Sequence, residues 1–253
     1  MRAGVFDSGV GGLSVVRSLL EHRLFDEIIY YGDTARVPYG VKDKNTIIRY
    51  SLEAVEFFKN FDIDTLICAC NSVSAYAIPE LRAKAPFPVF GVIEPGAIAV
   101  HNTITNKDAH ILILGTRATI NSGKYQHLLE GYGFANITAL APSLFVPIVE
   151  EGLFNGPILE QAMHYYFKDL AQAPDVIILG CTHFPLIKDA IGAYFPKALL
   201  IHSGEAIVEH LEGHLTLEKQ KQKTQLKLFA TENPEGLKKV AATWLGLEKG
   251  MLL

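Results

Sequence analysis

The sequence predicts an α/β fold built from two similar halves, each with a mostly parallel sheet. Three features carry that prediction. Short apolar runs alternate with amphipathic stretches, most of the runs lack polar alternation, and one strand-to-cysteine unit occurs twice.

The apolar runs are Ala3 to Phe6, Glu27 to Tyr31, Thr65 to Ala69, Val89 to Ile93, Ile111 to Leu114, Ile137 to Leu140, Val176 to Leu179 and Leu199 to Ile201. A strand without alternation reads as buried on both faces. Between the runs lie stretches such as Asn45 to Asn60, with Ile47, Ile48, Leu52, Val55 and Phe58 at helical spacing. Strand, helix, strand, helix is the order of a parallel sheet with helices on both faces.

The repeated unit reads D-T-L-I-C-A-C-N from Asp64 and D-V-I-I-L-G-C-T from Asp175. In each, an Asp precedes a Cys by six residues and an apolar strand fills the gap. Upstream of each, another strand ends in a small polar turn: Asp7-Ser8 before Cys70, Thr116 before Cys181. This register describes two α/β halves facing each other. The tail resembles neither half. Glu218 to Lys227 is rich in Lys and Gln and reads as a solvated connection. Leu226 to Ala230 reads as a strand and Pro234 to Leu245 as a helix. The tail is expected to return and complete one half. The expected domains are therefore residues 1–93 with 208–253, and residues 94–207.

The chain has 253 residues, 49% hydrophobic and 20% charged, a globular composition. A net charge of −4 argues against nucleic acid or an acidic membrane as the main partner. No apolar run reaches about 18 residues, so no membrane span is expected. The start M-R-A-G-V-F-D has no hydrophobic signal region. Three cysteines cannot all pair and are too few for a disulfide scaffold. The expectation is a cytoplasmic protein with free thiols.

Ligands of open parallel sheets bind beyond the carboxyl ends of the strands. Asp7 and Ser8 follow the first run. Gly32 and Asp33 follow the second, with Pro38, Tyr39 and Gly40 nearby. Cys70, Asn71 and Ser72 follow the third, Thr116 and Thr119 the fifth, Cys181, Thr182 and His183 the seventh, and Ser203 and Gly204 the eighth. The D-S-G-V-G-G turn lacks the last Gly of a dinucleotide fingerprint and the Lys of a P-loop. It reads instead as a tight turn offering N–H groups to a smaller anion such as a carboxylate, with Gly9, Gly11 and Gly12 permitting close approach. Cys70 and Cys181 each sit where a strand meets the next helix, a setting that favours thiolate. That help matters, because a free thiol is only about 3% ionised at pH 7. Cys68 lies inside its strand and reads as core. His183 is a candidate proton donor, thiol-tuning group or structural histidine. Glu150 and Glu151 close the run L-F-V-P-I-V, where a carboxylate can face a pocket. Cys68, Cys70, Cys181 and His183 are zinc ligands by type, but C-x-C and C-x-H at buried strand ends are poor ligand spacings.

The segments G-V-F-D-S-G-V-G-G-L-S-V, Y-Y-G-D-T-A-R-V-P-Y-G, A-C-N-S-V-S-A, V-I-E-P-G, G-T-R-A-T and L-G-C-T-H-F-P-L-I closely resemble the glutamate racemase family. The match runs from the first strand to about Glu209, and the tail carries no motif that extends it. The resemblance implies two flavodoxin-like α/β domains with the active site in the cleft between them. It implies Cys70 and Cys181 as the two catalytic acid/bases, assisted by Asp7, His183 and Glu150. It places substrate at Asp7, Ser8, Tyr39, Gly40, Asn71, Ser72, Thr116, Thr119, Thr182 and His183. Position 72 is Ser where many members have Thr; the hydroxyl is kept. Also implied are glutamate as substrate, no cofactor or metal, a homodimer, and supply of D-glutamate for peptidoglycan. A racemase for aspartate or another amino acid, and a zinc or small-anion binding module, are the alternatives.

Overall fold

The computed structural model describes residues 1–216 and 223–246. Among them are nine strands: β1 (Arg2–Asp7), β2 (Glu27–Gly32), β3 (Thr65–Cys68), β4 (Val89–Gly91), β5 (Ile111–Gly115), β6 (Ile137–Leu140), β7 (Val176–Gly180), β8 (Leu199–His202) and β9 (Gln225–Ala230). They form two sheets, ordered β4-β3-β1-β2-β9 and β6-β5-β7-β8. Every pairing is parallel. The order β4-β3-β1-β2 of the first sheet corresponds to β8-β7-β5-β6 of the second, so the expected doubling is a doubling of topology. β9 is the extra strand, added beside β2 with Glu27 opposite Gln225.

The repeated Asp has a mechanical role in this register. Asp64 accepts from the Arg2 N–H at 2.7 Å and donates its own N–H to the Arg2 carbonyl at 2.9 Å. Asp175 does the same with His110, at 2.8 and 2.9 Å. Each Asp clamps the start of a cysteine-bearing strand to the central strand beside it, which sets how far that strand carries its cysteine.

The helices are α1 (Leu13–His22), α2 (Lys44–Phe58), α3 (Asn71–Tyr76), α4 (Ile78–Lys84), α5 (Ile93–Thr103) and α6 (Arg117–Asn121). They continue with α7 (Lys124–Gly131), α8 (Phe145–Glu150), α9 (Pro157–Phe167), α10 (Lys188–Tyr194), α11 (Ser203–His214) and α12 (Pro234–Leu245). Asp43 caps α2, accepting from the Thr46 N–H at 3.0 Å. The apolar face of α2 then packs Ile47, Ala54, Val55 and Phe58 beneath the first sheet with Leu66 and Leu81. Residues of α1, α11 and α12 cover its other face. The second sheet lies between α8, α9 and α10 on one side and α5 and α7 on the other.

Three expectations need correction. The Val89 run stops pairing at Gly91, and Ile93 already belongs to α5. Its apolar character continues because α5 is itself packed on the second sheet's core. Double-sided burial holds for β3, β5 and β7, but not at the sheet margins. β6 is half-buried throughout, and β4, β8 and β9 are partly exposed, because a margin has one open side. Of the Glu218 to Lys227 connection, residues 218–222 lie outside the described residues, and from Gln225 it is already strand.

Cys68 closes β3 with no exposed surface, packed in the core with Phe6, Leu66 and Val73. Burial raises its pKa, and the neighbouring Cys70 adds to the rise. Cys68→Ala is expected to keep most activity and lose about 1 kcal/mol of stability through a small cavity. Thermal melting and turnover of the variant check this; loss of turnover in a folded protein would refute the core placement.

Candidate active site

The carboxyl ends of β1, β3, β5 and β7 point into one cleft. There a cavity of about 120 Å³ is lined by Ser8, Cys70, Asn71 and Ser72 from the first half, and by Thr116, Glu150, Cys181, Thr182 and His183 from the second. Tyr39 and Gly40 close it from the loop after β2. This is smaller than the roughly 300–1,000 Å³ of sites for drug-sized ligands, and suits a molecule of a few carbons.

Cys70 is the residue before α3, and its sulfur lies 3.6 Å from the Ser8 hydroxyl. The expected thiolate is not what this setting stabilises. Burial pushes the Cys70 pKa up to about 12, and the Asp7 carboxylate adds to the rise. The Val73 N–H and the Ser8 hydroxyl oppose it without winning. A six-residue helix end does not outweigh loss of water around the sulfur.

Cys181 differs. No α-helix follows it directly, only a 3-10 turn at Phe184–Ile187, so the expected helix N-terminus is missing there. Its partner is His183, whose Nδ1 lies 3.8 Å from the sulfur. The other ring nitrogen, Nε2, meets the Glu150 carboxylate at 3.0 Å. Burial alone would lower the His183 pKa. Hydrogen bonds to Cys181 and Glu150, and their charges, raise it to about 10. His183 therefore holds its proton through neutral pH, with one N–H facing the sulfur. Glu150 reaches it from the last turn of α8, whereas Glu151 is exposed and lines no part of the cavity.

The glycine turn does not wait for an external anion. The Gly9 N–H donates to Asp7 at 2.9 Å, and the Gly12 N–H also serves that carboxylate. None of the three glycines lines the cavity. A Cβ on Gly11 would lie 2.3 Å from the Thr182 hydroxyl and 2.7 Å from the His183 ring. The glycines let the two halves touch, and the anion they serve is the chain's own Asp7. That carboxylate is fully buried behind the cavity wall, 3.4 Å from the Thr182 hydroxyl. Burial raises its pKa, against the charge of His183 and the two N–H groups.

The Ser72 and Thr116 hydroxyls meet at 2.8 Å across the two halves. Thr116 caps α6, accepting from the Thr119 N–H at 3.2 Å. Thr119 is fully buried and bonds Thr116 at 3.0 Å, behind the cavity lining. The Asn71 amide is occupied by Ser203 at 3.3 Å and the Tyr125 hydroxyl at 3.0 Å, leaving its place in the wall fixed. Thus Asp7 and Thr119 stand one layer behind, and the other site residues that the resemblance implies line the cavity; of the remaining strand-end candidates Pro38 lines it, and Gly32, Asp33, Ser203 and Gly204 do not. Sequence reading missed Arg117, Val37, Phe184 and the Pro142–Pro147 region of the wall. Arg117 sits inside the quoted G-T-R-A-T segment and bonds Ser143 at 3.2 Å; a basic side chain at a helix start reads as merely solvated. Among the described residues no three His, Cys, Asp or Glu side chains converge as metal ligands do.

Two α/β halves of matching topology each place a thiol, just beyond the end of a strand, on the wall of one shared cavity. A family model described as Asp/Glu/Hydantoin racemase matches residues 13–211. A glutamate racemase of a Nitratiruptor species is 68% identical over 97% of this chain and 96% of its own. A glutamate racemase of Campylobacter jejuni is 56% identical over 98% and 99% of the two chains. The crystal structure of a Campylobacter jejuni glutamate racemase superposes with a TM-score of 0.96 at 55% identity, covering 98% of this chain and all of that one. One from Francisella tularensis in complex with D-glutamate gives 0.86 at 30% identity, over 100% and 96% of the two chains. The chain belongs to the Asp/Glu/Hydantoin racemase family, among its glutamate racemases, and is an isomerase. Among the described residues no helix is long and apolar enough to cross a membrane.

Proposed function

We propose that the chain interconverts L- and D-glutamate by moving the α-proton between two cysteines. The observation that carries this reading is the pair of thiols, Cys70 and Cys181, lining one cavity from opposite halves. Racemisation takes a proton from one face of a carbon and returns one to the other, so it needs an acid/base on each side. In one direction the Cys181 sulfur takes the proton and Cys70, neutral in its buried setting, gives one. In the other direction the roles exchange. His183 assists Cys181 with its proton, and Glu150 keeps that proton in place. Asp7 raises the thiol character of Cys70 and takes part on that side. Ser8, Ser72, Thr116 and Thr182 supply hydroxyls, and Tyr39, Gly40 and Asn71 supply wall, around the substrate carboxylates. Thr119 steadies Thr116. The carbanion-like transition state relies on these fixed donors and on exclusion of water. Glutamate as the substrate is supported by the named relatives above.

The same reading carries a cytoplasmic homodimer that supplies D-glutamate for peptidoglycan. It also carries a division into residues 1–93 with 208–253 and residues 94–207. That division is supported by Val208 and Leu211 of α11 packing on the first sheet and Ala97 and Val100 of α5 on the second, whereas Ile207, packed on the first sheet, and Ile93, packed on the second, each lie one residue across the proposed bounds.

The test is chelator-treated protein with L-glutamate in D₂O, followed by optical rotation and by the α-proton NMR signal. Loss of both is expected. Reaction with aspartate alone would overturn the substrate, and silence with both in a folded, reduced protein would overturn the activity.

A further inference from the structure

Asp33 follows β2, has no exposed surface, and does not line the cavity. A buried carboxylate is costly unless its lone pairs are filled, and every donor around Asp33 belongs to a segment that shapes the cavity or braces it. The Tyr39 hydroxyl donates to its Oδ2. The Arg36 Nε lies 2.7 Å from the same oxygen, and the far side of that guanidinium pairs with Glu53. The Thr231 hydroxyl donates to Oδ1 at 3.0 Å from the turn after β9. The main-chain N–H of Asp33 bonds the Asp7 carbonyl at 3.1 Å.

The loop these bonds hold is the cavity wall: Val37, Pro38, Tyr39, Gly40 and Val41 all line it. It is seated with no slack. A Cβ on Gly40 would lie 2.5 Å from the Thr116 Cβ, so the wall rests directly on the opposite half. The Tyr39 ring is buried, edge-on to Phe6 and tilted against Tyr50. Behind Asp33, the tail is tied to the same loop. The Thr231 hydroxyl accepts from the Ala35 N–H at 2.9 Å, its N–H reaches the Gly32 carbonyl at 3.2 Å, and the Glu232 N–H reaches the Thr34 hydroxyl at 2.9 Å.

We propose that Asp33 is a positioning residue: braced by Thr231 of the tail, it holds the Val37–Val41 wall at the height that closes the substrate cavity. Through Tyr39 it acts on substrate binding rather than on proton transfer. This assigns the motif-free tail a part in the site, and it deepens the racemase reading, on which its kinetic arm rests.

The test compares Thr231→Val, Asp33→Asn and the conservative Thr231→Ser in the full chain. Thr231→Val keeps the shape and deletes the hydroxyl. One lost hydrogen bond to a buried carboxylate corresponds to about a tenfold effect. The KM for glutamate is expected to rise about tenfold in Thr231→Val and Asp33→Asn while kcat stays within about threefold; Thr231→Ser restores it. Independently of turnover, iodoacetamide labelling of Cys70 and Cys181, read peptide by peptide, is expected to accelerate about tenfold. Labelling of Cys68 in the core stays slow and reports that the fold is intact. Unchanged labelling of the cavity thiols, or Cys68 rising in step with them, would overturn the positioning role. That labelling outcome stands whether or not the wild type racemises glutamate, so the two readings fail separately.

Discussion

Cys70→Ser and Cys181→Ser are each expected to cut racemisation at least about 10³-fold while the protein stays folded, since each removes one of two acid/bases. Serine fits the space of either sulfur. Its hydroxyl is a far weaker acid than a thiol, so it neither carries a removable proton at neutral pH nor holds the negative charge of a base. The loss should be nearly the same for both variants, although the two sites differ electrostatically. A path that needs a proton taken on one side and given on the other is broken at either end.

The variants also separate two-base chemistry from a single base that reaches both faces. With one thiol left, one enantiomer still presents its α-proton to a sulfur. That sulfur can remove the proton and, after exchange with solvent, return deuterium to the same face. In D₂O each variant should therefore exchange the α-proton of one enantiomer without changing its configuration, and the two variants should prefer opposite enantiomers. Full racemisation by either variant would sink the two-thiol mechanism. Exchange of both enantiomers by one variant would sink the assignment of one sulfur to each face.

Much of this is legible in the chain because strand ends carry both fold and chemistry. The apolar runs are bounded by turn residues, so β1, β5 and β7 are visible nearly to the residue. Whether a strand lies at a margin is a property of its neighbours, so the half-buried β6 and β8 read like their buried counterparts. Cys70, Cys181 and His183 stand out because each follows a strand. The electrostatics around them do not. The glycine turn looks like a cradle for an outside anion, yet its N–H groups face Asp7, because the other half presses Thr182 and His183 against Gly11. Glu150 meets His183 from a helix that ends elsewhere in the sequence. Thr231 meets Asp33 across 198 residues. Spacing along the chain carries no trace of such pairs.

His183→Asn is the second substitution expected to have a large effect, about 10²-fold on kcat/KM, and thermodynamics fixes its form. Enantiomers have equal free energy in water, so the equilibrium constant is unity and kcat/KM must be identical in the two directions, in the variant as in the wild type. The imbalance between a buried Cys70 and a His183-assisted Cys181 can appear only in kcat and KM separately. Those two constants should therefore differ between L- and D-glutamate in the wild type and converge in His183→Asn. The pH dependence follows from the raised pKa. His183 is protonated in the fold up to about pH 10 and in the unfolded chain only up to about 6.5. Its stabilising contribution is therefore fully present below about pH 6.5 and lost as pH rises through 10. The melting-temperature gap between wild type and His183→Asn should shrink over that range, and wild-type turnover should decline towards pH 10 as the donor beside Cys181 disappears. Glu150 is one of the groups that holds the proton on His183, so Glu150→Gln should draw that decline towards neutral pH. An unmoved alkaline limb in a folded Glu150→Gln variant would mean that the limb belongs to another group, and that Glu150 does not act through His183.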